Sequence, residues 1–521
     1  MIDGITLFLL TVAGFLAAVV LTPLARLLAT HCGLVDRPDA VRKIHGRSIA
    51  LGGGVAVLFS TALVVGLALL LPSVSQHLTE SEWSFLKGLG PAAAVLCVVG
   101  LFDDFKGLRA RQKLLGQIIA SLTLMCSGFV IHSVQLFGSN IDLGLLSWPF
   151  TLFWLLGAIN SVNLIDGADG LATTVGIVLS GTIAWMALIG SNDFSAVIAL
   201  GLMGSLVGFL CYNFPPATIF LGDAGSMLIG LLAGALAIHT CLKGPATIAM
   251  AAPVAIWAVP AFDCAIAIAR RKLTGRSVCT VDRGHLHHCL IRSGYSGRSL
   301  LFGVALLCGI TASGALLSMK FGSEWMAFAS VALVVGVLVV TRVFGHGEFL
   351  LATTQARQLV ESLLTPPWRA RGGVQKSTVR LQGSREWEHL WAALIESVDS
   401  LGLVRVRLTL NLPWLHENYH ASWNRDSATK VEERWHIEIP LNVEGRIVGL
   451  LLVAGTTAEG AVGARLSQLG ALVESVEDQL EHLIRESKVA MSAEPASAAA
   501  AALAGSDVSF GPELSRIDLP S

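Results

Sequence analysis

The chain has 521 residues, 53% hydrophobic and only 14% charged, with a mean hydropathy of +0.67. A soluble globular protein carries about 25% charged residues, so this composition excludes one that is soluble throughout. Lys and Arg number 36 against 37 Asp and Glu, a net charge of −1 that excludes a nucleic-acid partner recruited by bulk charge.

A membrane-crossing helix needs about 20 mostly apolar residues, because the hydrocarbon core is about 30 Å thick. Runs of that kind lie near 5–28, 51–71, 84–102, 114–131, 148–165, 171–190, 195–213, 224–242, 248–269, 299–319 and 325–345, which predicts eleven spans. The first run lacks a basic leader and a small-residue cleavage site, so it reads as a retained span. The nine cysteines form no CxxC pair and sit mostly inside apolar runs, where Cys behaves as a small hydrophobe; neither a disulfide framework nor a zinc site is expected.

Loop charge sets orientation, since Lys and Arg stay on the cytoplasmic side. Arg37, Arg42, Lys43 and Arg47 follow span one, and Lys106, Arg109, Arg111 and Lys113 follow span three. Arg270, Arg271, Lys272, Arg276, Arg283, Arg292 and Arg298 follow span nine, against only Lys87, Lys243 and Lys320 on the other side. The pattern predicts a multi-pass protein of the inner or plasma membrane, N-terminus outside and C-terminus cytoplasmic.

After about residue 350 the composition turns richer in Arg, Glu, His and Trp, with no run long enough to cross a bilayer. A helix is expected over 385–400, strands over 404–410, 433–440 and 446–453, and an amphipathic helix over 464–485. This strand–strand–helix order resembles ligand-sensing GAF-like modules and carries no catalytic cluster. The predicted fold is a polytopic α-helical membrane protein of about eleven transmembrane helices plus a small soluble α+β domain at the C-terminus. Its expected divisions are 1–348 (membrane domain), 349–380 (linker), 381–488 (accessory domain) and 489–521 (an Ala/Ser-rich disordered tail).

The informative polar residues of the membrane part gather at the ends of spans on one side, where their presence needs an explanation. Asp103-Asp104 closes span three, with Lys113 and Gln117 opening span four. Adjacent carboxylates repel unless a cation lies between them or one stays protonated, which suits a magnesium or phosphate site; a solvated turn is the plain alternative. Asn160 and Asn163 fall on one helix face, and Asp166-Gly167-Ala168-Asp169-Gly170 breaks the helix after them. These hard oxygen donors suit Mg²⁺, which keeps several waters and shares substrate phosphates. The stretch Phe220-Leu221-Gly222-Asp223 opens span eight, where helix amides favour anions and Asp223 could instead serve as an N-cap. Phe220 offers a stacking surface for a planar base or an interfacial anchor. His285, His287 and His288 end the basic loop after span nine, with no further ligand spaced to complete a zinc site. A fifth, weaker cluster runs from Asp36 through Lys43 and His45 to Gly52-Gly53-Gly54.

The strings RKIHGRSIALGG, DDFKGLRARQKLLGQ, NSVNLIDGADGLA, FLGDAGS and DRGHLHH closely resemble the polyprenyl-phosphate N-acetylhexosamine-1-phosphate transferase family, in that family's order, over about residues 1–345. The eleven spans and the HLHH form look more like the bacterial undecaprenyl-phosphate N-acetylglucosamine-1-phosphate transferases than the phospho-MurNAc-pentapeptide transferases; the long C-terminal extension departs from both. The resemblance implies transfer of a sugar-1-phosphate from a UDP-sugar to undecaprenyl phosphate at the cytoplasmic face of the bilayer, releasing UMP and starting a cell-surface glycan. N-acetylglucosamine, its 4-epimer or a deoxy derivative all satisfy the motifs. Magnesium is the implied cofactor, with manganese able to substitute. By motif position Asn163 and Asp223 would ligate the metal, and Lys113 would contact the diphosphate or sugar. Asp169 and Phe220 would hold the uracil, Asp103 and Asp104 would be the catalytic acidic pair nearest the lipid phosphate, and His285, His287 and His288 would flank the diphosphate and sugar. Lys43, Asn160 and Asp166 join the substrate-binding set. A homodimer through the tail is one arrangement open to the chain. The alternative from another class, a transporter or channel for an anionic substrate with a cytoplasmic sensor domain, would place its charges near mid-bilayer on internal repeats, and the sequence does neither.

Overall fold

The computed structural model describes residues 2–36, 48–241, 247–273, 284–346 and 348–349. Farther on it describes 379–381, 387, 390–391, 394–395, 403–412, 417–424, 435–443, 446–455, 470, 473–482 and 484. The chain divides into two compact units, Met1–Ala370 and Arg371–Ser521.

The first unit is a helix bundle. Its elements in chain order are α1 (Gly4–His31), β1 (Val35–Asp36), β2 (Ile49–Ala50), α2 (Gly53–Leu70), α3 (Pro72–Ser75), α4 (Glu80–Lys106), α5 (Ala110–Cys126), β3 (Ser133–Leu136), β4 (Ser139–Asp142), α6 (Ser147–Ile165), α7 (Leu171–Ile189), α8 (Asp193–Asn213), α9 (Gly222–Thr240), β5 (Thr247–Ala249), α10 (Ala251–Ile256), α11 (Ala258–Leu273), α12 (Leu286–Arg292), α13 (Gly297–Phe321) and α14 (Glu324–Val340). Each of the eleven apolar runs coincides with helix, and among the described residues eight helices are long and apolar enough to cross a membrane.

The other three runs differ in instructive ways. The fourth is α5, of 17 residues, which begins before the apolar run does. Gln112 Oε1 accepts from the Arg109 N–H and caps the helix start, so Lys113 lies within its first turns. The ninth is interrupted at Trp257 between α10 and α11. Pro260 has no N–H to donate to the Ile256 carbonyl, so one continuous helix is broken there. The last, α14, has 17 residues.

Helix α9 is buried along almost its whole length and forms the middle of the bundle, packed by α2, α4, α6, α7 and α8. Without a hydrophobic drive between helices in lipid, close packing depends on small residues. A Cβ at Gly100 of α4 would stand 2.3 Å from Ala224 Cα, and one at Gly54 of α2 would stand 2.2 Å from Gly225 N. Both helices therefore press backbone to backbone on the first turn of α9. At the opposite end, β3 and β4 form a hairpin and β5 joins β3 in parallel, a small sheet the hydropathy pattern did not announce.

In the second unit, β6 (Val379–Leu381), β7 (Leu403–Leu412), β8 (Glu417–Asn424), β9 (Trp435–Val443) and β10 (Arg446–Gly455) form one antiparallel sheet in the order β6-β8-β7-β10-β9. Three strands correspond to those expected, while β6 and β8 are additions. Tyr419, Ala421 and Trp423 alternate as the buried face of β8, a period-two signal present in the sequence and not used. The described helical residues at 387–395 and 473–484 fall within the two expected helices, and Trp387, Leu390, Trp391, Val476, Leu480 and Ile484 pack with the sheet's buried residues. The expected tail over 489–521 lies outside the described residues, as does most of the expected linker over 349–380.

Candidate active site

The site forms where the end of α4 and the beginnings and ends of α5, α6 and α9 meet. Lys113, on α5, reaches both acidic motifs: its Nζ lies 3.0 Å from Asp103 Oδ2 and 2.8 Å from Asp223 Oδ2. Asp103 is steadied by the Leu108 N–H, which donates to its Oδ1 at 2.6 Å. Asn163 donates its side-chain amide to Asp223 Oδ1 and, at 2.9 Å, to Ser226 Oγ. Residues 60 to 120 positions apart are thus joined through one lysine and one asparagine.

Asp104 takes a different place from Asp103. The Asp223 N–H donates to its Oδ1 at 2.9 Å and the Ala224 N–H to its Oδ2 at 3.4 Å. The plain alternative for Asp223, an N-cap, does not hold. Helix α9 starts at Gly222, its Leu221 cap makes no side-chain bond, and a carboxylate from another helix satisfies the first amides. That arrangement leaves Asp223's own carboxylate directed at Lys113 and Asn163.

Asn160 and Gln117 form a reciprocal amide pair below this layer, at 2.8 and 3.2 Å, and Gln117 Nε2 lies 3.4 Å from Met227 Sδ. The pair repeats one turn deeper what Lys113, Asn163 and Asp223 do above it, because residues four or three apart share a helix face. Asn160 is thus engaged within the protein.

The aspartate loop between α6 and α7 is tied to the loop before α9. Asp169 Oδ2 accepts from the Ala217 N–H at 2.9 Å. Thr173 donates to Asn213, whose amide in turn donates to the Ile219 carbonyl at 2.9 Å. Phe220 donates its N–H to the Ala50 carbonyl at 2.9 Å, and Gly53 donates to the Phe220 carbonyl at 3.0 Å. The glycine run that opens α2 therefore fastens the segment carrying Phe220, whose side chain stays half-buried. Asp166 lies in the same loop and feels both Asp223 and Asp104. Burial, first, and then those two negative charges push its carboxyl well above the ordinary range.

The histidine turn completes the group. His287 packs so closely on Gly167 that a Cβ there would stand 2.2 Å from its Nε2. His285 Nδ1 lies 3.0 Å from Asp263 Oδ2, and the Leu286 N–H donates to Asp263 Oδ1 at 2.7 Å. His288 stacks obliquely on His287 with ring centroids 4.2 Å apart. The basic loop expected from Arg270 is corrected: Arg270, Arg271 and Lys272 form the last turn of α11, and the first two are buried. Lys43 lies outside the described residues, as do His45, Arg276, Asp282 and Arg283.

Sequence reasoning missed Asp263, Ser226, Asn213 and Thr173. Asp263 had a signal, being a carboxylate within an apolar span, where a charge calls for a partner or a role. The others are common polar residues whose partners lie far away in the chain.

Among the described residues no three His, Cys, Asp or Glu side chains form a preformed metal cage. Mg²⁺ seldom uses one: it takes one or two carboxylates, waters and substrate phosphates. The residue types here fit that habit: Asp223 offers a carboxylate, Asn163 is bonded to it through its amide nitrogen and would turn its oxygen to an ion, and Asp103 and Asp104 stand close by.

The family model of "Glycosyl transferase family 4" matches residues 87–241, the stretch holding Asp103, Lys113, Asn163 and Asp223. A probable undecaprenyl-phosphate N-acetylglucosaminyl 1-phosphate transferase of Bacillus subtilis is 31% identical over 337 residues, 64% of this chain and 91% of that protein. The decaprenyl-phosphate N-acetylglucosaminephosphotransferase of Mycolicibacterium smegmatis is 33% identical over 365 residues, 64% of this chain and 89% of that one. A phospho-N-acetylmuramoyl-pentapeptide-transferase of Streptococcus pyogenes is 34% identical over 203 residues, 36% of this chain and 58% of its own length. With ordered motifs drawn into one site and relatives matched over most of their length, the chain belongs to glycosyl transferase family 4, among the polyprenyl-phosphate N-acetylhexosamine-1-phosphate transferases.

Proposed function

We propose that the protein transfers N-acetylglucosamine-1-phosphate from UDP-N-acetylglucosamine to undecaprenyl phosphate at the cytoplasmic face of the membrane, releasing UMP. The observation that carries the reading is the single ammonium of Lys113 held between Asp103 and Asp223, with Asn163 on the far side of Asp223. Such a centre binds a phosphate-rich, metal-bridged substrate at a bundle end, and the named activities of the relatives supply the sugar and the lipid acceptor. The excess of Lys and Arg in the loops at that end supports its cytoplasmic placement, with the N-terminus outside.

Phosphoryl transfer needs positioning and charge neutralisation more than covalent help from the protein. Asp223 and Asn163 would hold Mg²⁺, which would supply positive charge against the diphosphate and the leaving UMP. Lys113 binds a diphosphate oxygen with its remaining donors. Asp103, fixed by Leu108 and Lys113, orients the acceptor phosphate and takes a residual proton. Asp169 and Phe220 hold the uracil, and the histidine turn closes over the diphosphate and sugar. The second pKa of a phosphate monoester is about 6, so the acceptor is largely dianionic near neutral pH and needs no strong base. A lipid-phosphate oxygen attacks the β-phosphorus; the new P–O bond forms as the bond to UMP breaks, and the electron pair leaves on the UMP phosphate.

Purified chain in detergent with UDP-N-acetylglucosamine, undecaprenyl phosphate and Mg²⁺ should yield UMP and a lipid-linked sugar diphosphate in equal amounts. Absence of both products across a panel of UDP-N-acetylhexosamines would overturn the reading. Exchange of labelled UMP into UDP-sugar without lipid would replace direct attack by a covalent aspartyl intermediate.

A further inference from the structure

Beyond the end of α14, where the chain runs on toward the second unit, Glu348 is 5% exposed, and its partner Arg270 of α11 is 4% exposed. Arg270 Nε donates to Glu348 Oε1 at 2.5 Å, while its Nη2 donates to the Gly284 carbonyl at 2.9 Å. Gly284 is the residue before the histidine turn. Two turns earlier on α11, Asp263 holds the other side of that turn through His285 and the Leu286 amide. The stretch around Glu348 lies along the same helix: Phe344 meets Phe262 edge-on at 5.6 Å, and Gly345 packs on Phe262 and Ile266. From Glu348 through Arg270 to Gly284 the links are hydrogen bonds between buried groups, and the turn that begins there sets the buried His287 against the exposed Gly167.

We propose that Glu348 and Arg270 are positioning residues for the histidine turn, placing the stretch after α14 in control of the active-site geometry. The inference rests on the reading of that turn as part of the transferase site. Arginine suits the role because its planar fork serves two acceptors in fixed directions, which a lysine cannot do. Glu348 orients the fork, and a buried guanidinium deprived of it would turn to other acceptors and release Gly284.

The test uses the full-length protein in detergent with the variants Glu348→Gln, Arg270→Lys and His287→Ala. Glu348→Gln and Arg270→Lys should each lower kcat by about 10- to 100-fold, the scale of a small misplacement near the chemistry. KM for UDP-N-acetylglucosamine should stay within about twofold, as for a group acting only in the transition state. Amide hydrogen exchange should quicken over 284–290 in both variants and stay unchanged in α4 and α9. Wild-type kcat in either folded variant, or exchange that quickens everywhere alike, would overturn the proposal. An active His287→Ala protein would instead remove the turn from the active site, and selective quickening over 284–290 would still uphold the mechanical link.

Discussion

The contact between Gly167 and His287 gives the most exacting check on the site. Replacing Gly167 by alanine adds one methyl group, and Gly167 is absent from the positive-φ glycines, so its backbone accepts the change. The new Cβ would stand 2.2 Å from His287 Nε2 and 2.5 Å from Cε1, against an ordinary contact of 3.4 Å or more. The imidazole, or the aspartate loop, must therefore give way by at least about 1.2 Å. A misplacement of that size near reacting groups costs about 100-fold in rate, or about 2.7 kcal/mol of transition-state stabilisation. Overpacking would take about 1–3 kcal/mol from stability as well, so the rate should be normalised to folded protein. The assay is UMP release and lipid-linked product per mole of folded enzyme, with Gly90→Ala on α4 as control, since nothing lies within 4 Å of a Cβ there. Gly167→Ala working within threefold of Gly90→Ala would refute the placement of His287 against the aspartate loop or its part in the reaction.

Other outcomes follow from the same geometry. Asp223→Asn should lower turnover by about 1,000-fold, the upper scale for losing one preorganised electrostatic group, with an unchanged gel-filtration profile; near-normal activity would take Asp223 out of the site. Lys113→Met removes the cation between Asp103 and Asp223, so turnover should fall while Mg²⁺ raises the thermal midpoint more than in the wild type, because the ion then meets uncompensated carboxylates. A smaller Mg²⁺ shift would argue that the cation does not bind there. Asp166 favours its protonated form in the fold, so it stabilises below its ordinary range near pH 4 and that contribution is lost as pH rises through its raised value. In chelator the wild-type thermal midpoint should fall over this interval more than that of Asp166→Asn, and parallel curves would contradict the shift.

The positions of the helices were largely legible in the sequence, and so was the gathering of Asp103, Lys113, Asn163 and Asp223, because apolar length reports spans and acid-rich motifs at span ends call for partners. What each residue does was less so. Asp103 and Asp104 are neighbours of one type, yet one faces Lys113 and the other caps α9, a division set by which side of α4 meets α9. Asn160 and Asn163 share a helix face, and one turn of depth separates an amide engaged with Gln117 from one engaged with Asp223. Arg270 read as one more loop cation because sequence counts charge without its depth; buried, it needs Glu348, some 78 positions away. The small sheet of β3, β4 and β5 escaped notice because strands of three or four residues carry too few alternations to register.

The backbone-to-backbone approach of α2 and α4 on the first turn of α9, at Gly54, Gly100, Ala224 and Gly225, has a mechanical consequence. Where backbone meets backbone no side chain can change rotamer to make room, so the rods have no adjustable gasket at that level, and the first turn of α9 can neither roll nor slide there without collision. Its acidic first turn is a fixed anvil, and the displacements that admit a lipid or discharge a nucleotide belong to the loops around it. Saturation mutagenesis would show this as a forbidden strip through Gly54, Gly100 and Gly225, intolerant of even a methyl group though none of the three needs to touch substrate.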